Sequence, residues 1–190
     1  MMRSLTINRT MAAGAAFALS GCLVSEVPLL DENTGRATPI NNGVYTICPV
    51  SDDAGDDCNT FAVDSDETGL YRFIKDDEPD DATLMRFRRV GRGGYLVQSD
   101  ESDENYAYYY GAGDSEFFRL QMMMCNDLPE RERQRLIDRG DMEVDDDNSD
   151  ICILKSLRGA RKAAKIYHRG KTVAPEDGDI IFEIEPASAQ

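Results

Sequence analysis

The stretch that decides the fold is Leu84-Met85-Arg86-Phe87-Arg88-Arg89-Val90, followed by Gly91-Arg92-Gly93-Gly94. Met85 and Phe87 alternate with Arg86 and Arg88, and this period of two is typical of a strand with one buried face. Glycines allow the positive φ angles that tight hairpin turns need. We therefore expect a β-hairpin, in which residues 95–99 form the returning strand.

Short apolar or β-branched runs occur on both sides of this hairpin, separated by acidic or glycine-containing breaks that indicate turns. Further strands are predicted over 44–50, 59–63, 69–75, 106–111 and 117–124. An antiparallel meander of about seven to eight strands at such short spacing is typical of a barrel or a sandwich.

The last third of the chain indicates helices. Asp127-Leu128-Pro129-Glu130 is typical of a helix start and predicts a helix that ends near Arg139. Ser156 is a good N-cap for a second helix from Leu157 to about Tyr167. Short strands are predicted over 151–154 and 179–184. The fold class is therefore α+β and β-rich, with two C-terminal helices.

The first 21 residues have the parts of a secretory signal: Arg3 and Arg9, then an apolar run, then small residues before Cys22. The apolar run, 11–19, is far shorter than the roughly 20 residues of a membrane-spanning helix. Leu19-Ser20-Gly21-Cys22 resembles the lipobox of bacterial lipoproteins. The resemblance implies that residues 1–21 are removed and that Cys22 becomes the lipidated first residue, carrying fatty acids such as palmitate.

The same resemblance implies a location in the bacterial cell envelope, on a domain that faces the periplasm. Leu23 after the cysteine favours the outer membrane over the inner one. Two or more acyl chains hold a protein stably on a membrane. We expect residues 22–42 to be a flexible tether, 43–186 to be one globular domain and 187–190 to be a frayed tail.

The composition is strongly acidic, with 36 Asp and Glu against 21 Lys and Arg and a net charge of −15. This charge argues against nucleic acid as a partner, because its phosphates are neutralised by Lys and Arg. The cysteines that remain after Cys22 form an even set, which suggests two disulfides in an oxidising compartment. Three pairings are possible, and joining nearest neighbours gives Cys48–Cys58 and Cys125–Cys152. The spacing does not fit a zinc site.

The densest basic stretch is a possible basic surface on the second helix. These residues could meet anionic lipid headgroups near the anchor. The alternative is that they pair with the acidic segments of the chain itself. The basic surface consists of Lys155, Arg158, Arg161, Lys162, Lys165 and Arg169.

No catalytic motif, cofactor motif or metal site is recognisable, and the one histidine, His168, lies among other cations. We therefore expect a non-catalytic, membrane-anchored protein that binds another envelope component or has a structural role. The alternative is a carrier that holds a small apolar ligand in a calycin-like barrel, lined by Tyr, Phe and Met side chains. Tyr106, Tyr108 and Tyr110 should lie on one side of their strand and Tyr109 on the other.

Overall fold

The computed structural model describes residues 21–50, 58–102, 105–172 and 180–187, without the side chains of 101 and 102. The signal sequence over residues 1–20, the lipobox positions Leu19 and Ser20, and the tail over 188–190 lie outside the described residues. The described part of the chain contains eleven strands and two helices. They are β1 (Leu23–Ser25), β2 (Gly43–Val50), β3 (Asn59–Ser65), β4 (Leu70–Lys75), β5 (Ala82–Gly91), β6 (Gly94–Ser102), β7 (Asn105–Gly113), β8 (Phe118–Met122), α1 (Glu130–Asp138), β9 (Met142–Val144), β10 (Cys152–Leu154), α2 (Leu157–His168) and β11 (Ile181–Pro186).

Eight of the strands form a closed antiparallel barrel. Their order is β6-β5-β4-β3-β2-β11-β8-β7, and the pairing of β6 with β7 closes the ring. The predicted hairpin is β5–β6, in which Phe87 pairs with Val97. Val97 pairs in turn with Tyr109 on β7. The β-rich α+β fold with two C-terminal helices is thus confirmed, and the structure selects a barrel over a sandwich.

One end of the barrel is closed by an aromatic cluster. The ring centroids of Tyr71 and Phe87 are 4.8 Å apart, and those of Phe87 and Phe118 are 5.8 Å apart. Ile40 covers this end, because Tyr71 Oη donates to the Ile40 carbonyl at 2.6 Å. Burial of this phenol raises its pKa to about 12. Alternate residues of each strand point inward, so this cluster and its neighbours fill the closed half of the barrel.

The segment 22–42 is not the flexible tether that the sequence suggested. Its first residues form β1, which lies between β7 and β10 in the sheet. Leu30 and Ile40 are 1% and 2% exposed, so they belong to the core of the domain. The amides of Leu29 and Leu30 both donate to Gln98 Oε1 at 2.7 Å. The folded unit therefore includes residues 22–42 and does not begin at residue 43.

A second hydrophobic layer lies outside the barrel, between its wall and α2. Tyr108 points into this layer and is fully buried, whereas Tyr109 points into the barrel. The prediction that Tyr108 and Tyr109 lie on opposite sides of their strand is therefore confirmed. Ala160 and Ala164 face the same layer from α2. Their small side chains let the helix approach the strands closely.

The start of α2 is fixed by polar contacts. Ser156 Oγ accepts from the Gly159 amide at 3.1 Å, which is the predicted N-cap. Ser156 Oγ also donates to Asp141 Oδ1 at 2.5 Å. A Cβ on Gly159 would lie 2.7 Å from the Asp141 carbonyl oxygen, so only glycine fits there.

Two disulfides connect elements of the sheet. Cys48 is joined to Cys58 across the β2–β3 connection, and Cys125 to Cys152 between the outer hydrophobic layer and β10.

The start of α1 differs in detail from the expectation. Pro129 occupies the N-cap position, and Asp127 instead accepts a hydrogen bond from Tyr167 Oη at 2.7 Å.

Candidate functional site at the open end of the barrel

The barrel contains a cavity of about 210 Å³ at the end opposite Ile40. Seven of the eight barrel strands contribute a side chain to its wall. The lining residues are Ile47, Phe61, Phe73, Thr83, Met85, Tyr109, Leu120 and Phe182. The cavity is therefore a feature of the barrel interior and not of a surface loop.

The register of the sheet brings these side chains together. Phe73 pairs with Thr83 across β4 and β5, and Phe182 pairs with Leu120 across β11 and β8. Paired residues of neighbouring strands point to the same face, so each of these pairs forms a continuous piece of wall. The aromatic cluster reaches this level through Phe73, whose ring centroid is 6.1 Å from that of Tyr71.

The chemistry of the wall is that of apolar binding. None of its eight side chains is a carboxylate, an imidazole, an amine or a thiol. The Thr83 hydroxyl and the Tyr109 phenol supply the polar atoms of the wall. Such a wall can remove apolar surface from water and orient one polar group.

Acidic residues lie close to the cavity in sequence, in the turn between β4 and β5. Asp77 and Glu78 are exposed, and both are within 4 Å of the Lys75 ammonium group. This turn immediately precedes β5, which contributes Thr83 to the cavity wall. Charged side chains therefore lie around the opening of the cavity, whereas the wall inside it is apolar.

Cys22, the predicted lipidation site, is 2% exposed and lies next to the barrel interior. Its Sγ is 3.1 Å from Met122 Sδ and 4.0 Å from Met124 Sδ. Its carbonyl accepts from the Cys152 amide at 3.2 Å. A lipid on this sulfur therefore requires the Cys22 side chain to leave the contact with Met122.

The six residues of the predicted basic surface fall into two groups. Those near the start of α2 pair with acidic residues of the chain: Lys155 Nζ lies 2.5 Å from Glu143 Oε1, and Arg158 Nη2 lies 3.0 Å from Asp141 Oδ1. The hydrogen bond that Lys155 donates to Glu143 raises the pKa of Lys155. These two residues thus pair within the chain, which is the second of the two alternatives from the sequence.

Of the remaining four members of the basic surface, one is also paired with an acid of the chain. Lys162 Nζ lies 3.5 Å from Glu132 Oε2, and Arg161 lies near Arg88. Lys165 and Arg169 make no ion pair with any described residue.

His168 is packed against the β5–β6 turn. Its Nδ1 lies 2.9 Å from Tyr110 Oη, and burial raises the pKa of that tyrosine. A Cβ on Gly91 would lie 2.1 Å from His168 Nε2, and one on Gly94 would lie 2.3 Å from Nδ1. The turn glycines therefore make room for the imidazole, and His168 has a packing role here.

Two carboxylates of the described chain are buried, Asp127 and Asp141, and both are held by hydrogen bonds. Asp66 Oδ1 accepts from the amides of Thr68 and Leu70, so this acidic stretch is a turn. Within the described ranges, no cluster of three His, Cys, Asp or Glu side chains is placed to hold a metal ion.

The sequence did not single out most of the cavity residues. Phe61, Phe73 and Phe182 each look like an ordinary core residue in a short strand. Alternation indicates that they share a face with their strand neighbours, but only the register shows that these faces meet at the open end. The available signal was the expectation that Tyr, Phe and Met side chains would line a barrel.

Neither α1 nor α2 is long and apolar enough to cross a bilayer, and the same holds for every helix in the described part of the chain. No protein family, curated protein or solved structure matches this chain.

Proposed function

We propose that this protein binds a small apolar ligand in the cavity at the open end of its barrel. The observation that carries the proposal is the apolar wall of Phe61, Phe73, Met85, Leu120 and their neighbours around about 210 Å³. A dry apolar cavity of about 150 Å³ binds benzene, and drug-sized ligands occupy about 300 to 1,000 Å³. The ligand is therefore larger than benzene and smaller than a typical drug.

The binding energy would come from the removal of apolar surface from water. Each buried methylene contributes about 0.8 kcal/mol, which is roughly a fourfold gain in affinity. A ligand with one short alkyl chain or a compact ring system would fill the space. One hydroxyl or amide on the ligand could use the Thr83 hydroxyl.

A series of linear alcohols from butanol to decanol tests this proposal by isothermal titration calorimetry. The affinity should rise about fourfold per methylene until the cavity is full and should then level off. The heat capacity change on binding should be negative, as expected for burial of apolar surface. An absence of binding across the whole series would exclude the proposal.

A pair of matched variants assigns the binding to the cavity. Thr83→Phe places a ring in the cavity and should abolish alcohol binding. Thr60→Phe adds the same ring to β3, next to the inward-pointing Phe61 and so on the outer face of the barrel, and should leave binding unchanged. Equal loss in both variants would show that the alcohols bind elsewhere.

We also propose that the protein works at the bacterial envelope, held on the outer membrane by a lipid on Cys22 and facing the periplasm. The support is the order of positive charge, apolar run, small residues and cysteine at the start of the chain. Replacement of Cys22 by Ala should abolish acyl labelling and release the protein from the membrane fraction. A Cys22→Ala protein that stays with the membrane would refute the anchor without affecting the cavity.

Binding to another envelope component remains a prediction, since no surface has been assigned to it. Crosslinking in intact cells, with the wild type and Thr83→Phe in parallel, separates the two functions. A crosslinked partner that is retained by Thr83→Phe would point to a docking role that is independent of the cavity.

A further inference from the structure

A groove of about 520 Å³ lies between α1 and α2, on a part of the molecule that the barrel cavity does not reach. Five of its eight lining residues are cationic. The lining consists of Pro129, Arg131, Glu132, Lys162, Lys165, Ile166, Arg169 and Lys171. In a chain with a net charge of −15, this concentration of positive charge is local and opposite in sign to the whole.

The one acidic side chain of the groove is already neutralised. Glu132 Oε1 accepts from Arg135 Nη1 at 2.6 Å, and its Oε2 lies 3.5 Å from Lys162 Nζ. The charges of Arg135 and Lys162 lower the pKa of Glu132, so the carboxylate stays ionised and paired. The other cations of the groove therefore have no counter-charge in its wall.

Several cations outside the groove are paired with acids of the chain. Arg133 pairs with Glu130 on α1, and Lys155 and Arg158 pair with acids near the start of α2. By contrast, the described residues provide no ion pair for the other four cations of the groove. These four are Arg131, Lys165, Arg169 and Lys171.

We propose that this groove binds an anion that carries phosphate groups. Like charges held close together repel one another, and a bound polyanion removes that repulsion while it gains charge-assisted hydrogen bonds. Arg131 and Arg169 can each donate a pair of parallel hydrogen bonds to phosphate oxygens, and the lysines add point charges. The phosphate can belong to a lipid headgroup or to a soluble phosphate compound, because the recognition chemistry is the same.

Two assays on the purified protein separate these sources. Calorimetry with tripolyphosphate measures binding of a soluble polyanion. Sedimentation with vesicles of phosphatidylcholine, with and without phosphatidylglycerol, measures binding to anionic headgroups. Both assays are run at low and at physiological salt, because screening weakens exposed electrostatic contacts.

Charge-matched variants locate the site. Lys165→Gln and Arg169→Gln each remove one positive charge from the groove and should weaken binding at least tenfold when combined. Lys155→Gln and Arg72→Gln remove the same charges elsewhere and, combined, should change binding less than twofold. Both variant pairs have the same net charge. A difference in binding between them therefore shows that the anion binds in the groove and does not simply respond to the net charge of the protein.

Each outcome decides the proposal. Tripolyphosphate binding that is lost only in the Lys165 and Arg169 variants supports a soluble phosphate compound. Vesicle binding that is lost only in these variants, without tripolyphosphate binding, supports a lipid headgroup. Failure of both assays with the wild type, or equal weakening in both variant pairs, would overturn the proposal. None of these results depends on the alcohol titrations or on Cys22.

Discussion

Cys22 Sγ lies 3.1 Å from Met122 Sδ, beside the barrel interior and away from solvent. This contact places the predicted lipidation site inside the packing of the domain. The backbone around it is equally well held, because the Leu23 amide donates to the Met123 carbonyl at 2.8 Å. Acylation of the sulfur and the contact with Met122 therefore exclude each other.

A first prediction follows for the local stability of β1. In protein acylated on Cys22, the amides of residues 23–25 should exchange with solvent at least tenfold faster than in Cys22→Ala protein. The physical reason is that the bulky lipid on the sulfur must pull the first residues of β1 away from β7 and β10. Hydrogen exchange with mass spectrometry measures this, with the amide of Phe87 as an internal reference. Identical exchange in both forms would contradict the exclusion argued above.

A second prediction concerns the buried amide of Gln98. Gln98→Leu should lower the free energy of unfolding by roughly 2 to 4 kcal/mol, because it leaves the amides of Leu29 and Leu30 buried without acceptors. Urea unfolding measures the change. Gln134→Leu on α1 is the control, since its hydrogen bond to Asp138 is exposed and its loss should cost less than about 0.5 kcal/mol. A small effect of Gln98→Leu would mean that the N-terminal segment does not depend on this contact.

A third prediction concerns pH. The hydrogen bonds from Arg158 and Ser156 hold the pKa of Asp141 below its ordinary value of 3.8. A carboxyl whose pKa is lowered by folding stabilises the protein above its unfolded-state pKa, and this stabilisation is lost as the pH falls through the folded-state pKa. At pH 7, Asp141→Asn should cost about 1.5 to 3 kcal/mol, the usual range for hydrogen bonds to a charged group.

The difference in the free energy of unfolding between wild type and Asp141→Asn should become smaller as the pH is lowered below 3.8. Chemical unfolding at pH 7, 5, 4 and 3 provides the measurement. Glu143→Gln, which changes an exposed acid on β9, controls for the general effect of removing a negative charge. A difference in the free energy of unfolding between wild type and Asp141→Asn that does not change with pH would show that Asp141 acts through packing alone.

A fourth prediction tests the packing of His168 on the turn. Gly91→Ala should cost roughly 1 to 3 kcal/mol, because the new Cβ overlaps the imidazole. In a His168→Ala background the same change should cost less than about 0.5 kcal/mol. Thermal unfolding of the four proteins closes this double-mutant cycle. Additive effects would show that Gly91 is required for its own backbone and not for His168.

Local patterns were enough to predict most of the sheet and both helices. The alternation of Met85 and Phe87 predicted β5, and Ser156 predicted the start of α2. Joining nearest neighbours in the sequence predicts the pairing of Cys125 with Cys152, and the structure has that pairing. These features depend on residues close together in the chain, where propensity and spacing carry the information.

The features that the sequence did not predict depend on distant partners. Leu30 and Ile40 are single apolar residues in a segment with proline, glycine and acids, so no period marks them. Their burial arises from Gln98 and Tyr71, which lie far away along the chain. The sequence indicates a ligand-holding barrel as one alternative but does not identify the residues of the cavity wall, since this wall exists only after the barrel has closed.

The burial of Gly21 and Cys22 also limits when the chain can be cut relative to its folding. The Gly21 carbonyl accepts from the Cys125 amide at 2.5 Å, and a Cβ on Gly21 would lie 2.8 Å from the Met124 methyl group. An enzyme cannot bind the peptide bond between Gly21 and Cys22 while these contacts are in place. If this bond is cut during export, the cut has to come first, on an extended chain, and only afterwards can β7, β8 and β10 close around the new end.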